Sequence, residues 1–178
     1  PFIEVAEELG SLLVQITRGV VREVIIRYSG ELTKLPLEPV TSGALKGILC
    51  HLTAGSVNYI NAVTLAKERG IKWEEIKSSS DHEFSSLIEL TYITDQEQHK
   101  ISGTIFGQDT RLISFDDFVI DARLDGHLII IQNHDVQGVV GKLGTLLARH
   151  HINIANIALG RNKLGGSALT IIGVDSQP

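Results

Sequence analysis

Hydrophobic and polar positions alternate with two periods along this chain, and each change of period marks an element. Residues 1–16 place Phe2, Val5, Ala6, Leu9, Leu12, Leu13 and Ile16 at helical spacing, so an amphipathic helix opens the sequence. Residues 22–28 (REVIIRY) set β-branched side chains between charged ones and predict a strand. A turn is expected at Ser29-Gly30-Glu31-Leu32, and Pro36 and Pro39 predict an extended loop. Thr41 is placed to cap a helix running from Ser42 to about Leu52. A short strand over residues 57–60 then leads to a helix over residues 62–69, which Gly70 closes. Four more strands are predicted over residues 71–77, 87–94, 100–106 and 111–115. Asp81-His82-Glu83 reads as a solvated turn, because adjacent titratable side chains do not by themselves make a metal site.

The last third has a different rhythm. An apolar run over residues 128–131 ends in Asn133-His134-Asp135, and Gly138 opens a helix with Val139, Val140, Leu143, Leu146 and Leu147 on one face. A second run over residues 152–159 and a third over residues 168–174 flank a Gly165-Gly166 turn, the signature of a hairpin. Strand, helix, strand, strand is the first part of a βαββαβ ferredoxin-like unit. The expected fold class is therefore α+β: an α/β domain over residues 1–124 and a ferredoxin-like unit over residues 125–178, without its last helix and strand. That missing piece amounts to roughly 20–25 residues at typical element lengths. With the abrupt helical start and the absence of methionine, the pattern leads one to expect a piece of a longer protein.

The junction after the first of these strands carries candidate chemistry. A helix N-terminus there exposes N–H groups without intrahelical partners, and its dipole favours an anion. A free amino acid could rest its carboxylate on the amides near Val139 and Val140. Asp135 and the side-chain oxygens of Asn133 and Asn153 would then accept hydrogen bonds from its ammonium group. The plainer alternative makes Asp135 a helix cap and Asn153 a polar strand residue.

Composition narrows the classes. Sixteen basic and 21 acidic residues give a net charge of −5, which argues against an electrostatic nucleic-acid footprint. Aromatic residues make up 5%, so Leu, Ile and Val must fill the core. The single cysteine, Cys50, excludes an internal disulfide, suits a reducing, cytoplasmic compartment, and is expected as a small buried core residue. No apolar run approaches the roughly 20 residues of a membrane span. The Gly138-Val139-Val140-Gly141 stretch lacks the βαβ continuation of a dinucleotide site. His150-His151 fits a helix C-terminus better than a metal site, since adjacent helical positions point apart. Neither catalytic residues nor metal ligands are expected.

Two resemblances rest on quoted segments. NHDVQGVVGKLGTLL, INIANIALGR and GGSALTIIGVD resemble an ACT domain, a small amino-acid-sensing module. ELGSLLVQITRG, YSGEL, ALKGIL, VNYINAVTLAKERGI and SGTIFGQDTRLISFDDFVID resemble the intervening, allosteric substrate-binding domain of D-3-phosphoglycerate dehydrogenase. Both modules in that order are similar to the C-terminal regulatory part of the long-form enzyme, over essentially the whole chain. The resemblance implies a parent that uses NAD to oxidise 3-phosphoglycerate in the first step of serine synthesis. It also implies L-serine as effector, with no cofactor held by this portion. The family's serine site falls on Asn133, Asp135 and Asn153, the last from a second subunit, so a homo-oligomer through ACT domains is expected. Gln137 stands where the family usually has proline, which leaves the loop less preorganised. The resemblance further implies an anion or phosphorylated-substrate site, with Arg111 and Arg123 as its cationic positions. Two solvated arginines are the alternative. Rival readings are an L-serine dehydratase subunit, for which no cluster-forming set of cysteines is present, and a free-standing amino-acid sensor.

Overall fold

The computed structural model describes residues 1–78 and 84–177; the predicted turn at Asp81-His82-Glu83 lies outside them. The elements run α1 (Phe2–Ile16), β1 (Val21–Gly30), α2 (Glu38–Leu49), α3 (Ala62–Glu68), β2 (Lys72–Ser78), β3 (Ser86–Thr94), β4 (Gln98–Phe106), β5 (Asp109–Phe115), β6 (Phe118–Arg123), β7 (His127–His134), α4 (Val139–Arg149), β8 (Ile154–Arg161) and β9 (Ser167–Val174). They form an α+β fold with two sheets.

The first sheet has the strand order β2-β1-β3-β4-β5-β6. β1 and β2 are parallel, as the helical crossover through α2 and α3 requires, and every other neighbour is antiparallel. Alternation along β1 sends Val24, Ile26 and Tyr28 into the core, where they meet Leu9 and Leu13 of α1 and Leu45, Ile48 and Leu49 of α2. α1 and α2 cross with their backbones almost touching. A Cβ on Gly47 would lie 2.0 Å from the Glu7 carbonyl oxygen, and one on Gly10 would lie 2.3 Å from that of Ala44. Only glycine permits that approach, whatever it costs in helix propensity.

Several expectations need correction here. α2 begins at Glu38, with proline in its first turn, where the missing N–H costs nothing. Thr41 is therefore an interior residue, not a cap. It is buried, and its hydroxyl accepts from Tyr28 Oη (2.7 Å) and donates to Glu75 (2.7 Å). No strand forms over residues 57–60, because Asn58 Oδ1 takes the N–H groups of Ile60 and Asn61 in a side-chain-closed turn. Cys50 is exposed, since it caps α2 one position beyond the last inward-facing residue, Leu49. β6 is an additional strand. Its inward residues Phe118, Ile120 and Ala122 are buried and alternate with exposed Val119 and Asp121.

The second sheet has the order β7-β9-β8, all antiparallel, with α4 connecting β7 to β8. That is the βαββ portion of a ferredoxin-like unit. One face of the sheet, with Leu128, Ile130, Ala158, Leu169 and Ile171, joins the main core. β8 lies against β6 so closely that a Cβ on Gly160 would come within 2.7 Å of the Val119 carbonyl oxygen. The opposite face, with Ile129, Ile131, Ile172 and Val174, receives Leu143 and Leu147 of α4.

Candidate functional site

The βαββ connectivity brings the end of β7, the start of α4 and the β8–β9 hairpin together around one cavity of about 380 Å³. Of the residues predicted for an effector site, Asn133, Asp135, Val139 and Val140 all line it. Asn153 does not. It precedes β8 at the opposite end of the sheet, where Ile154 pairs with Val174, and it donates to Asp175. Eight-residue strands separate the two ends by roughly 25 Å.

The helix entry is open. Gly138 caps α4 in a left-handed conformation (φ 86°), and among the described residues no side chain caps the first amides. Asp135 is therefore not the cap that one reading allowed. Its backbone N–H donates to the Gly166 carbonyl (2.8 Å), and its Oδ2 accepts from the Gly165 N–H (3.2 Å) and the Arg161 guanidinium (3.3 Å). A single carboxylate thus ties the β7–α4 loop to the hairpin turn. Asn133 donates to the His134 carbonyl, while its Oδ1 is shielded from solvent and has no hydrogen-bond partner. An acceptor in that state is costly to leave unpaired. An open helix N-terminus and a carboxylate beside one cavity suit a small zwitterion. The wall added by Leu159, Gly160, Arg161, Ala168 and Thr170 went unrecognised in the sequence. The alternation along β8 carried part of the signal, because Leu159 pairs with Thr170 and Arg161 with Ala168.

Arg111 and Arg123 are direct cross-strand partners on β5 and β6. Each guanidinium is engaged by a carboxylate: Arg111 by Asp121 at 3.2 Å, and Arg123 by Asp109. Asp109 also holds the Arg123 guanidinium more firmly in its charged form. The hollow beside Arg123 collects Glu4, Glu8, Asp109 and Asp125, so an anion arriving there meets an acidic field.

A larger hollow, about 700 Å³, lies between α1 and β7 and is lined by Glu4, Glu7 and Glu8 together with His127 and Leu128. Burial pushes the Glu8 carboxyl above its ordinary value, with Asp125, Glu4 and Glu7 adding to the effect and a bond with Thr110 opposing it. None of the predicted effector residues reaches that hollow.

Elements in this order define a class: an α+β fold in which a six-stranded mixed sheet is joined to a ferredoxin-like unit. The profile of the D-3-phosphoglycerate dehydrogenase intervening domain matches residues 1–116, and the chain belongs to the D-3-phosphoglycerate dehydrogenase family. It is 34% identical over 180 residues to the D-3-phosphoglycerate dehydrogenase of Archaeoglobus fulgidus, covering 100% of this chain and 34% of that protein. The Bacillus subtilis enzyme is 34% identical over 178 residues, covering 98% of this chain and 34% of its own length. D-3-phosphoglycerate dehydrogenase 2, chloroplastic, of Arabidopsis thaliana is 28% identical over 196 residues, covering 100% of this chain and 31% of its own length. The chain spans about a third of the length of the curated relatives it matches. Among the described residues no helix is long and apolar enough to cross a membrane.

Proposed function

We propose that this chain is the regulatory portion of a cytoplasmic, NAD-dependent D-3-phosphoglycerate dehydrogenase, and that β7, α4, β8 and β9 form an ACT domain that binds L-serine. The observation that carries the reading is the cavity at the α4 N-terminus. The ligand's carboxylate rests on the free amides of Val139 and Val140, where the helix dipole favours it. Its ammonium group meets Asp135 and the unpartnered oxygen of Asn133. Neither role needs a nicotinamide, and no residue of the chain is assigned to hydride transfer. NAD belongs to the remainder of the parent enzyme.

Asn153 enters this reading from a second copy of the chain. β8 is an edge strand with Ile157 and Leu159 exposed on its α4 side, and an apolar edge of that kind favours pairing with another strand. Sedimentation of the chain at high micromolar concentration is expected to show a dimer, and a monomer there would remove Asn153 from the site. A phosphate or phosphorylated-substrate site at Arg111 and Arg123 is a weaker second reading. It rests on their adjacency and on the buried, unpartnered Nε of each, and it requires displacing Asp121 and Asp109. Calorimetric titration with L-serine and, separately, with inorganic phosphate tests both. Heat of binding with L-serine is expected, and none at millimolar serine would end the effector assignment.

A further inference from the structure

Arg161 ends β8 at the mouth of the cavity with 58% of its side chain exposed. Its guanidinium reaches Asp135 Oδ2 at 3.3 Å, and the Gly165 N–H shares that oxygen at 3.2 Å. Both distances are long for charge-assisted bonds, which settle at about 2.7–2.9 Å. An ion pair this exposed contributes little, so exchanging it is cheap.

The exchange has a chemical logic. A ligand bearing only an ammonium group competes with Arg161 for the single charge of Asp135 and leaves one cation uncompensated. One bearing only a carboxylate must take Arg161 and leave Asp135 unpaired. A zwitterion does neither, because its ammonium replaces the guanidinium at Asp135 while its carboxylate receives the guanidinium. Two charge pairs then stand where one stood. Taking the cavity as an amino-acid site, we infer that Arg161 reads the ligand's carboxylate, trading its bond to Asp135 for one to the ligand. The carboxylate is then shared between the amides of α4 and the planar guanidinium fork, whose geometry matches it. Selectivity for an α-amino acid over the corresponding amine follows from that exchange. The turn at Gly165-Gly166 keeps its anchor throughout, because the Asp135 N–H bond to Gly166 and the Gly165 bond do not involve Arg161.

Titration of the whole 178-residue chain with L-serine and with ethanolamine, which is serine without its carboxylate, tests the inference. The unsubstituted chain is expected to prefer L-serine by about tenfold or more, the scale of one charge-assisted hydrogen bond. Arg161→Gln should lose that preference: affinity for L-serine falls by about tenfold or more, while ethanolamine binds as before or more tightly. Arg161→Lys keeps the charge without the fork and is expected to fall between the two, which also supplies the comparison if the glutamine variant folds poorly. Unchanged serine affinity in Arg161→Gln, or an equal loss for both ligands, would overturn the role of Arg161 and leave the effector reading standing. Failure of the unsubstituted chain to bind either ligand would overturn both.

Discussion

The two sheets of this chain hold their helices in opposite ways. α1 and α2 cross at backbone contact, and Val5, Ala6, Leu9, Leu13, Ala44, Leu45, Ile48 and Leu49 have no exposed surface at all. α4 buries only Leu147, while Val140 and Leu146 on the same helix are 43% and 51% exposed. The first arrangement is a closed core, and the second is a helix resting on one face of a three-stranded sheet. Local stability follows buried apolar contact, so the two regions should open at very different free energies. The candidate ligand cavity lies in the weakly held region. Elements that respond to a ligand are drawn from that end of the stability range, because binding energy must be able to shift them.

The sharpest way to break this comparison is to fill the helix crossing. A Cβ at Gly47 would meet the carbonyl oxygen and carbon of Glu7 and the amide nitrogen of Ser11, all backbone atoms that can yield only if α1 moves. Gly47→Ala is therefore expected to destabilise the chain by about 3 kcal/mol, the upper range of overpacking, despite alanine's better helix propensity. Denaturant unfolding checks this. A stability loss below about 1 kcal/mol, the helix-propensity scale, would show that the crossing is looser than it looks.

The next effect belongs to the cavity. Asp135→Asn keeps an oxygen to accept from Gly165 but removes the charge that a ligand ammonium would meet. A charge-assisted hydrogen bond contributes about 1.5–3 kcal/mol, so serine affinity is expected to fall roughly 10- to 150-fold with little change in melting temperature. Titration and thermal unfolding of the same variant separate the outcomes. A lower melting temperature with unchanged serine binding would reduce Asp135 to a clamp on the hairpin.

How much of this was legible in the sequence depends on where each interaction lies. β1 and β3 could be read because period two survives in them, whereas β9 is buried along nearly its whole length and shows only as an apolar run; Gly70, at positive φ (69°), follows the end of α3. β6 was hidden by Asp116-Asp117 before it, although Phe118, Ile120 and Ala122 already alternate with Val119 and Asp121. Pro39 suggested a loop because proline punctuates most segments, yet in the first turn of α2 it costs nothing. The helix crossing left a trace in Gly43 and Gly47, four residues apart and so on one face. Its partner, α1, could not be inferred from α2 alone. In the candidate site the residues adjacent in sequence were found, since one strand–helix junction presents them together. Arg161 was not, because its approach to Asp135 depends on the β8–β9 register, which brings residues 26 apart in sequence to the same carboxylate.

The same comparison predicts opposite outcomes for one substitution at two glycines. Gly144 lies inside α4, a methyl carbon added there would meet nothing within 4 Å, and the residue does not line the cavity at the helix entry. Gly144→Ala should therefore stabilise by about 0.5–1 kcal/mol through helix propensity and reduced freedom of the unfolded chain. The change carries the opposite sign to that at Gly47, and chemical denaturation of the two variants side by side tests it. Destabilisation at Gly144 would mean that α4 is covered by something packed against that face.

The smallest effect concerns the acidic side of α1, where the well-packed region carries a local cost. The Glu8 carboxyl is half-buried, its Oε2 is shielded from solvent without a partner, and desolvation with neighbouring Asp125, Glu4 and Glu7 raises its pKa above the ordinary 4.5. A carboxyl that titrates higher in the folded chain than in the unfolded one favours folding while protonated. That contribution is present in full below the ordinary value of 4.5 and is lost as pH rises through the folded-state value. Glu8→Gln removes the charge but keeps a side chain that can still bond Thr110. Its melting temperature should therefore exceed that of the unsubstituted chain at neutral pH, and the two should converge as pH falls towards 4.5. Melting curves across that range read the difference directly. A gap that widens towards acid would mean that ionised Glu8 stabilises the fold, so that the Thr110 bond, not burial, dominates at this position.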